Sequence, residues 1–169
     1  YGLMPQPGVM AGALARRTKH VKIAILGRAL PLLNNPVTVA EEFAMIDNIT
    51  EGRFIAGFVR GIGAEYHAWS SNPADSHERF HEAHDLIVRA WTEIGPFPFE
   101  GKHYQFEYVN LWPRPYQTPR PPIWIGGSSK AAITRAARLA DGWLPQGPPK
   151  MGMSNAIAHI AEVRAENGL

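Results

Sequence analysis

The residues best suited to chemistry are Gly126-Gly127-Ser128-Ser129. They close the apolar run PPIWI (121–125) and precede KAAITRAARLA (130–140). Two glycines followed by two serines at a helix start expose backbone N–H groups and hydroxyls at the positive end of the helix dipole. That is the chemistry of an anion or phosphate cradle. The same residues also suit a tight turn with a serine N-cap. A second candidate, Arg60-Gly61, ends the apolar run RFIAGFV (53–59). A guanidinium at the end of a buried strand needs an anion. A ligand phosphate would serve, and so would a carboxylate such as Glu65.

Two further stretches carry weaker chemistry. His77-Glu78-Arg79-Phe80-His81 matches H-E-x-x-H, with His84 following. On a helix this spacing sets His77 and His81 on one side, as a zinc hydrolase would need, with Glu78 as general base. Glu100 or Glu107 would have to complete the ligand set; an exposed polar helix face explains the same residues. Gly61-Ile62-Gly63 lacks the third glycine of a dinucleotide fingerprint and has no acidic residue at the expected distance. Glu65, Tyr66, His67 and Trp69 lie in a predicted loop, 61–75. They suit a pocket wall or lid, or a plain surface loop.

These residues need elements to position them. VMAGALARR (9–17) reads as a helix ending in cations, and VKIAILG (21–27) as a strand apolar on both faces. Thr38 to Glu41 reads as a capping box for a helix that buries Val39, Phe43, Ile46 and Ile49 or Thr50. RFIAGFV is the next strand. Ser76 starts a long helix with the stripe Phe80, Ala83, Ile87, Ala90, Trp91 and Ile94. Residues 97–121 are rich in Pro and aromatics, and HYQFEYV (103–109) alternates as an excursion strand or hairpin. PPIWIGG is a third main strand, with Ser128 or Ser129 capping the helix 130–140. WLPQ (143–146) is a fourth strand, and Ser154 caps a last helix. Four strand–helix units without hairpins between the main strands imply a parallel sheet. Its strand ends at Gly27-Arg28, Arg60-Gly61, Gly126–Ser129 and Pro145-Gln146 would then share one rim. Short strands followed by Gly or Asn loops favour part of a (β/α)₈ barrel over a doubly wound sheet.

Composition narrows the class. The chain has 169 residues, of which 45% are hydrophobic, and a formal net charge of +2. That is enough to bury one core, so a single domain over 1–169 is expected. Cys is 0, which excludes disulfides, thiolate metal sites and a Cys nucleophile in this sequence. No apolar run is long enough for a membrane-spanning helix. The near-neutral charge argues against a nucleic-acid backbone as partner. A reducing cytoplasm suits zero Cys. Starting at Tyr1 and ending just after Gly168, the sequence is expected to be a piece of a longer chain.

Taken together, NNPVTVAEEFAMIDNITEGRFIAGFVRG (34–61) resembles the luciferase-like flavin-dependent monooxygenases, which include bacterial luciferase. The family's pattern is a Pro after a short loop, a helix A-E-x-x-A-x-x-D, then G-R-F-x-x-G-x-x-R-G. Here these are Pro36, Ala40-Glu41, Ala44, Asp47, Gly52-Arg53-Phe54, Gly57 and Arg60-Gly61. ERFHEAHDLIVRAWTE, the F-E-G-K-H-Y turn, LWPRPYQTPRPPIWIGGSS and AARLADGWLP follow in the family's order within 78–145.

The resemblance implies a partial (β/α)₈ TIM barrel holding approximately strands three to six. It implies reduced FMN as cofactor, with the deazaflavin F420 as the alternative in a sister branch. Arg60 and Ser128 would hold the FMN phosphate, with Gly61, Gly127 and Ser129 nearby, and a strained peptide at Leu26-Gly27 would lie under the flavin ring. The implied activity is oxygenation of a small organic substrate by O₂ through a peroxyflavin, with a flavin reductase as a feeding partner and a homo-oligomeric assembly. F420-dependent hydride transfer is the alternative. A zinc hydrolase using His77 and His81, or an inactive fragment, stands lower. The family's catalytic His precedes residue 1 in this mapping, so no catalytic residue is named.

Overall fold

The computed structural model describes residues 6–169. Helix α1 (Pro7–Arg17) leads into strand β1 (Ile23–Ala29), and α2 (Val37–Thr50) into β2 (Phe54–Val59). After the short α3 (Gly63–Ala68) comes the long α4 (Ser76–Thr92), then a hairpin of β3 (Phe97–Glu100) and β4 (Gln105–Val109). Strand β5 (Ile123–Gly126), α5 (Lys130–Leu139), β6 (Gly142–Leu144) and α6 (Met153–Glu166) complete the chain.

The main sheet has the order β1-β2-β5-β6 and is parallel throughout. All four C-terminal strand ends therefore open on one rim. One face of the sheet carries the core. Phe54, Phe58, Ile123 and Ile125 are fully buried there against Phe43, Phe80, Ile87 and Trp91 of α2 and α4. Each such side chain contributes roughly 1.5–3 kcal/mol through the apolar area it removes from water. The opposite face is open. Ala24 and Leu26 are exposed on it, and Ile55, Val59 and Trp124 are half-buried. The expectation that β1 is buried on both faces is corrected here: β1 is an edge strand, and no described residue covers its second face. An apolar open face of parallel strands is the geometry of a barrel interior.

Local chemistry explains the boundaries. Pro36 pre-sets the helical φ, so α2 begins at Val37, before the predicted Thr38 cap. Asn35 Oδ1 accepts from Val37 N at 2.9 Å, and Thr38 Oγ1 donates back to Asn35 O. The predicted capping box is therefore replaced by an Asn35 turn. α4 ends at Thr92, which leaves Ile94 outside it and 87% exposed, not in the buried stripe. The last helix starts at Met153 after Gly152, whose positive φ ends the preceding turn, and Ser154 caps nothing. Arg53 of the G-R-F motif donates to the carbonyls of Thr50, Val21, Thr18 and Ala15 at 2.8–3.2 Å. It locks the end of α1 to the α2–β2 turn. The aromatic excursion is an antiparallel hairpin. It is tethered to α4 by the Glu82 carboxylate, which accepts from the backbone of Lys102 and His103.

Candidate functional site

The turn from β5 into α5 is built for close approach. A Cβ on Gly126 would stand 2.9 Å from Val59 Cγ1, so a larger residue there would have to displace the Val59 side chain. Gly127 takes φ +136°, a conformation that L side chains rarely adopt. It is pinned from both sides, its N–H donating to Leu144 O and its carbonyl accepting from Trp143 Nε1. Ser129, not Ser128, is the helix cap: its Oγ accepts from Ala132 N at 3.2 Å. Ser128 Oγ instead donates to Gly147 O at 3.0 Å, tying the turn to the segment after β6. Among the described residues, the N–H groups of Ser128, Ser129, Lys130 and Ala131 have no acceptor. Four N–H groups without a protein acceptor at the start of a ten-residue helix give this end of α5 the polarity that attracts an anion.

The structure brings the sequence-predicted residues together. Gly27, Arg60, Gly61, Gly127, Ser128 and Ser129 all line one cavity of about 410 Å³. Parallel pairing of β1, β2 and β5 is what sets their three strand ends side by side. Gly27 belongs to this rim through a register shift between Ile25 and Arg28, where the Leu26–Gly27 peptide bond is cis. Gln146, at the end of the predicted fourth strand, lines the same cavity, whereas Arg28 does not. Arg28 turns to the helix side and pairs with Glu42.

Arg60 differs from expectation in two ways. Its side chain is exposed, not buried, because it stands beyond the last residue of β2. Glu65 is not its partner. Glu65 Oε2 accepts from Ile62 N at 2.8 Å and caps α3. Among the described residues the Arg60 guanidinium has no carboxylate within ion-pair distance. Its backbone carbonyl accepts from the Tyr66 hydroxyl, whose pKa burial raises.

Sequence reasoning missed Arg135, which lines the same cavity from α5. The side chain is only 7% exposed, and its Nε is sealed from solvent without an acceptor. In the sequence it reads as one of several cations on an amphipathic helix, so no pattern there marked it out.

A larger cleft of about 830 Å³ adjoins, sharing Leu26, Gly27 and Glu65 with the first. Its walls are mostly apolar, from α1 and β1, with Asn34, Asn35 and Trp69 at one side. The predicted loop 61–75 contains the six-residue helix α3 and is otherwise mostly turn and loop. Within it Tyr66 is buried and His67 and Trp69 are exposed. The zinc reading gains nothing. Glu78 is bound to Lys102 and His103, whose hydrogen bonds hold its carboxyl down at about 2. His84 is buried in the core beside Phe80 and Phe58 rather than lying on an exposed polar face. Among the described residues, no three His, Asp or Glu side chains converge on a metal position. No helix among them is long and apolar enough to cross a membrane.

The chain is similar to known proteins. The sequence model of a family described as luciferase-like monooxygenase matches residues 1–169. The FMNH₂-dependent dimethylsulfone monooxygenase of Pseudomonas putida is 32% identical over 151 residues, 87% of this chain and 41% of that protein. Monooxygenase RslO1 from Streptomyces bottropensis superposes with a TM-score of 0.86 at 29% identity, over 98% of this chain and 51% of that one. The coenzyme F420-dependent tetrahydromethanopterin reductase of Methanopyrus kandleri superposes with a TM-score of 0.81 at 22% identity, over 96% of this chain and 50% of that one. That last likeness is one of fold. The chain spans about half the length of these relatives, and its four parallel strands correspond to part of a TIM barrel.

Proposed function

The chain belongs to the luciferase-like monooxygenase family, and on that premise we propose that it supplies the phosphate-binding part of a reduced-FMN site. The observation that carries this reading is the shared cavity. Ser128, Ser129 and Ala131, whose N–H groups have no acceptor among the described residues, line one space together with Arg60 and Arg135. The residues fit a phosphate: N–H donors without acceptors and two guanidinia line one space. Gly27 keeps β1 close to β2 at the edge of that space, since a Cβ there would stand 2.6 Å from Val59 Cγ1.

In this reading Arg60 and the backbone of Ser128 and Ser129 hold the phosphate. Gly27, Gly61 and Gly127 give the backbone the close packing and positive φ that shape this rim. The ring system would lie toward the larger cleft, whose walls are mostly apolar. When bound, reduced FMN supplies the two electrons with which O₂ delivers one oxygen atom to a small organic substrate and the other to water. The chain's own share is binding and orientation. A flavin reductase as electron source and a homo-oligomeric assembly belong to the same proposal.

Fluorescence titration with FMN, riboflavin and F420 tests it. FMN is expected to bind more tightly than riboflavin, because only FMN carries the phosphate. Equal affinities would remove the phosphate site, and tighter binding of F420 would transfer the reading to hydride transfer.

A further inference from the structure

Arg135 has no hydrogen-bond acceptor among the described residues, and no carboxylate pairs with it. Its one visible interaction is with the face of Phe80, 4.6 Å from Cζ to the ring centroid. A cation–π contact recovers only part of what a buried guanidinium loses on leaving water. Only Nε is sealed, so the terminal nitrogens keep what contact the side chain has with the cavity it lines. Arg60 lines that cavity too. Burial, and then Arg60, pushes the Arg135 pKa down from its ordinary value. Two guanidinia on one cavity repel each other unless an anion lies between them.

We propose that Arg135 is the second cation of the cradle and selects a phosphate monoester over a phosphate diester or an uncharged tail. The inference rests on the phosphate reading above and deepens it. A monoester carries close to two negative charges at neutral pH and three free oxygens, against one charge and two free oxygens for a diester. The cavity is lined by two arginines and by three residues, Ser128, Ser129 and Ala131, whose N–H groups have no acceptor among the described residues. Its one carboxylate, Glu65, is committed to Ile62 N. Arg60 and Ser129 are exposed, whereas Arg135 and Gly126 are buried. An oxygen reaching Arg135 has therefore passed the rim and belongs to the end of the ligand, not to its middle.

Arg135→Met is the decisive variant, with Arg135→Lys as the charge-retaining control. FMN and riboflavin affinities are measured for each, with methyl phosphate and dimethyl phosphate as competitors, alongside thermal melts without ligand. The expected result is a loss of about tenfold or more in FMN affinity for Arg135→Met, with riboflavin unchanged. Methyl phosphate should then compete less well while dimethyl phosphate is unaffected, and Arg135→Lys should recover part of the loss. The melt of Arg135→Met should be no lower than that of the parent, since it removes a buried unpaired charge. An FMN-to-riboflavin ratio in Arg135→Met equal to the parent's overturns the inference while leaving the phosphate site standing. So does a lowered melting point with that ratio intact, which marks a packing role on Phe80. A parent protein that does not distinguish FMN from riboflavin overturns both readings.

Discussion

The carboxylate of Asp47, fully buried at the end of α2, accepts from both the backbone N–H and the side-chain amide of Gln117, at 2.8 and 2.7 Å. The same amide donates to Phe54 O at the start of β2. Asp47 thus fixes the approach to β5 against α2 and β2, and through it the register that brings Gly126 beside Val59. Asp47→Ala would strand two donors in a largely dry site. It should lower unfolding free energy by about 3 kcal/mol, with Asp47→Asn costing less because one oxygen remains. Urea denaturation of the two variants checks the order.

Arg60 should matter for binding and little for folding. It is exposed and makes no ion pair among the described residues. A charge-assisted contact to phosphate is worth roughly 1.5–3 kcal/mol. Arg60→Ala should therefore weaken FMN binding by that amount, leaving riboflavin binding and the melting temperature unchanged. Unaltered FMN affinity would take Arg60 out of the site.

Gly127 offers a backbone test of the same cradle. Alanine there would hold φ +136° against its preference and place Cβ 2.6 Å from the Cβ of Ala132. The strain should cost about 2 kcal/mol of stability. It should also shift the start of α5, so FMN affinity falls more than riboflavin affinity. An equilibrium melt paired with both titrations reads the two effects separately.

Much of this was legible in the sequence because the local signals agree with the global fold. Short β-branched runs alternating with helix stripes, and the absence of hairpins between the main strands, suffice for a parallel sheet. The Gly-Gly-Ser-Ser turn and Arg60 follow from strand ends sharing a rim. What remained hidden depends on contacts distant in the chain. Arg135 looks like an ordinary helix cation until α4 places Phe80 under it and β2 brings Arg60 alongside. Glu65 looks like a partner for Arg60 until the turn at Ile62 claims its carboxylate. His84 looks like part of a polar face until Phe58 of β2 packs against it. Such choices are made by tertiary geometry, which no periodicity records.

His84 makes stability depend on pH. Burial, reinforced by the positive charge of Arg120, pushes its pKa down from 6.5 to about 4. The folded protein refuses a proton that the unfolded chain accepts between those values. Stability from this group is therefore complete above about pH 6.5 and is lost as pH falls toward 4, flattening below. At about pH 4.5 the loss amounts to roughly 2–3 kcal/mol. His81, also pushed down by burial and by His77, acts in the same direction. His84→Phe keeps an aromatic ring between Phe80 and Phe58, which lie 6.4 and 6.2 Å from the imidazole. It removes the titration of this one site and leaves the others in place. The stability difference between variant and parent should therefore move in the variant's favour by that amount between about pH 7.5 and 4.5. Paired urea melts at the two pH values measure it, and a difference that does not change with pH would mean that His84 is as free to protonate in the folded protein as in the unfolded chain.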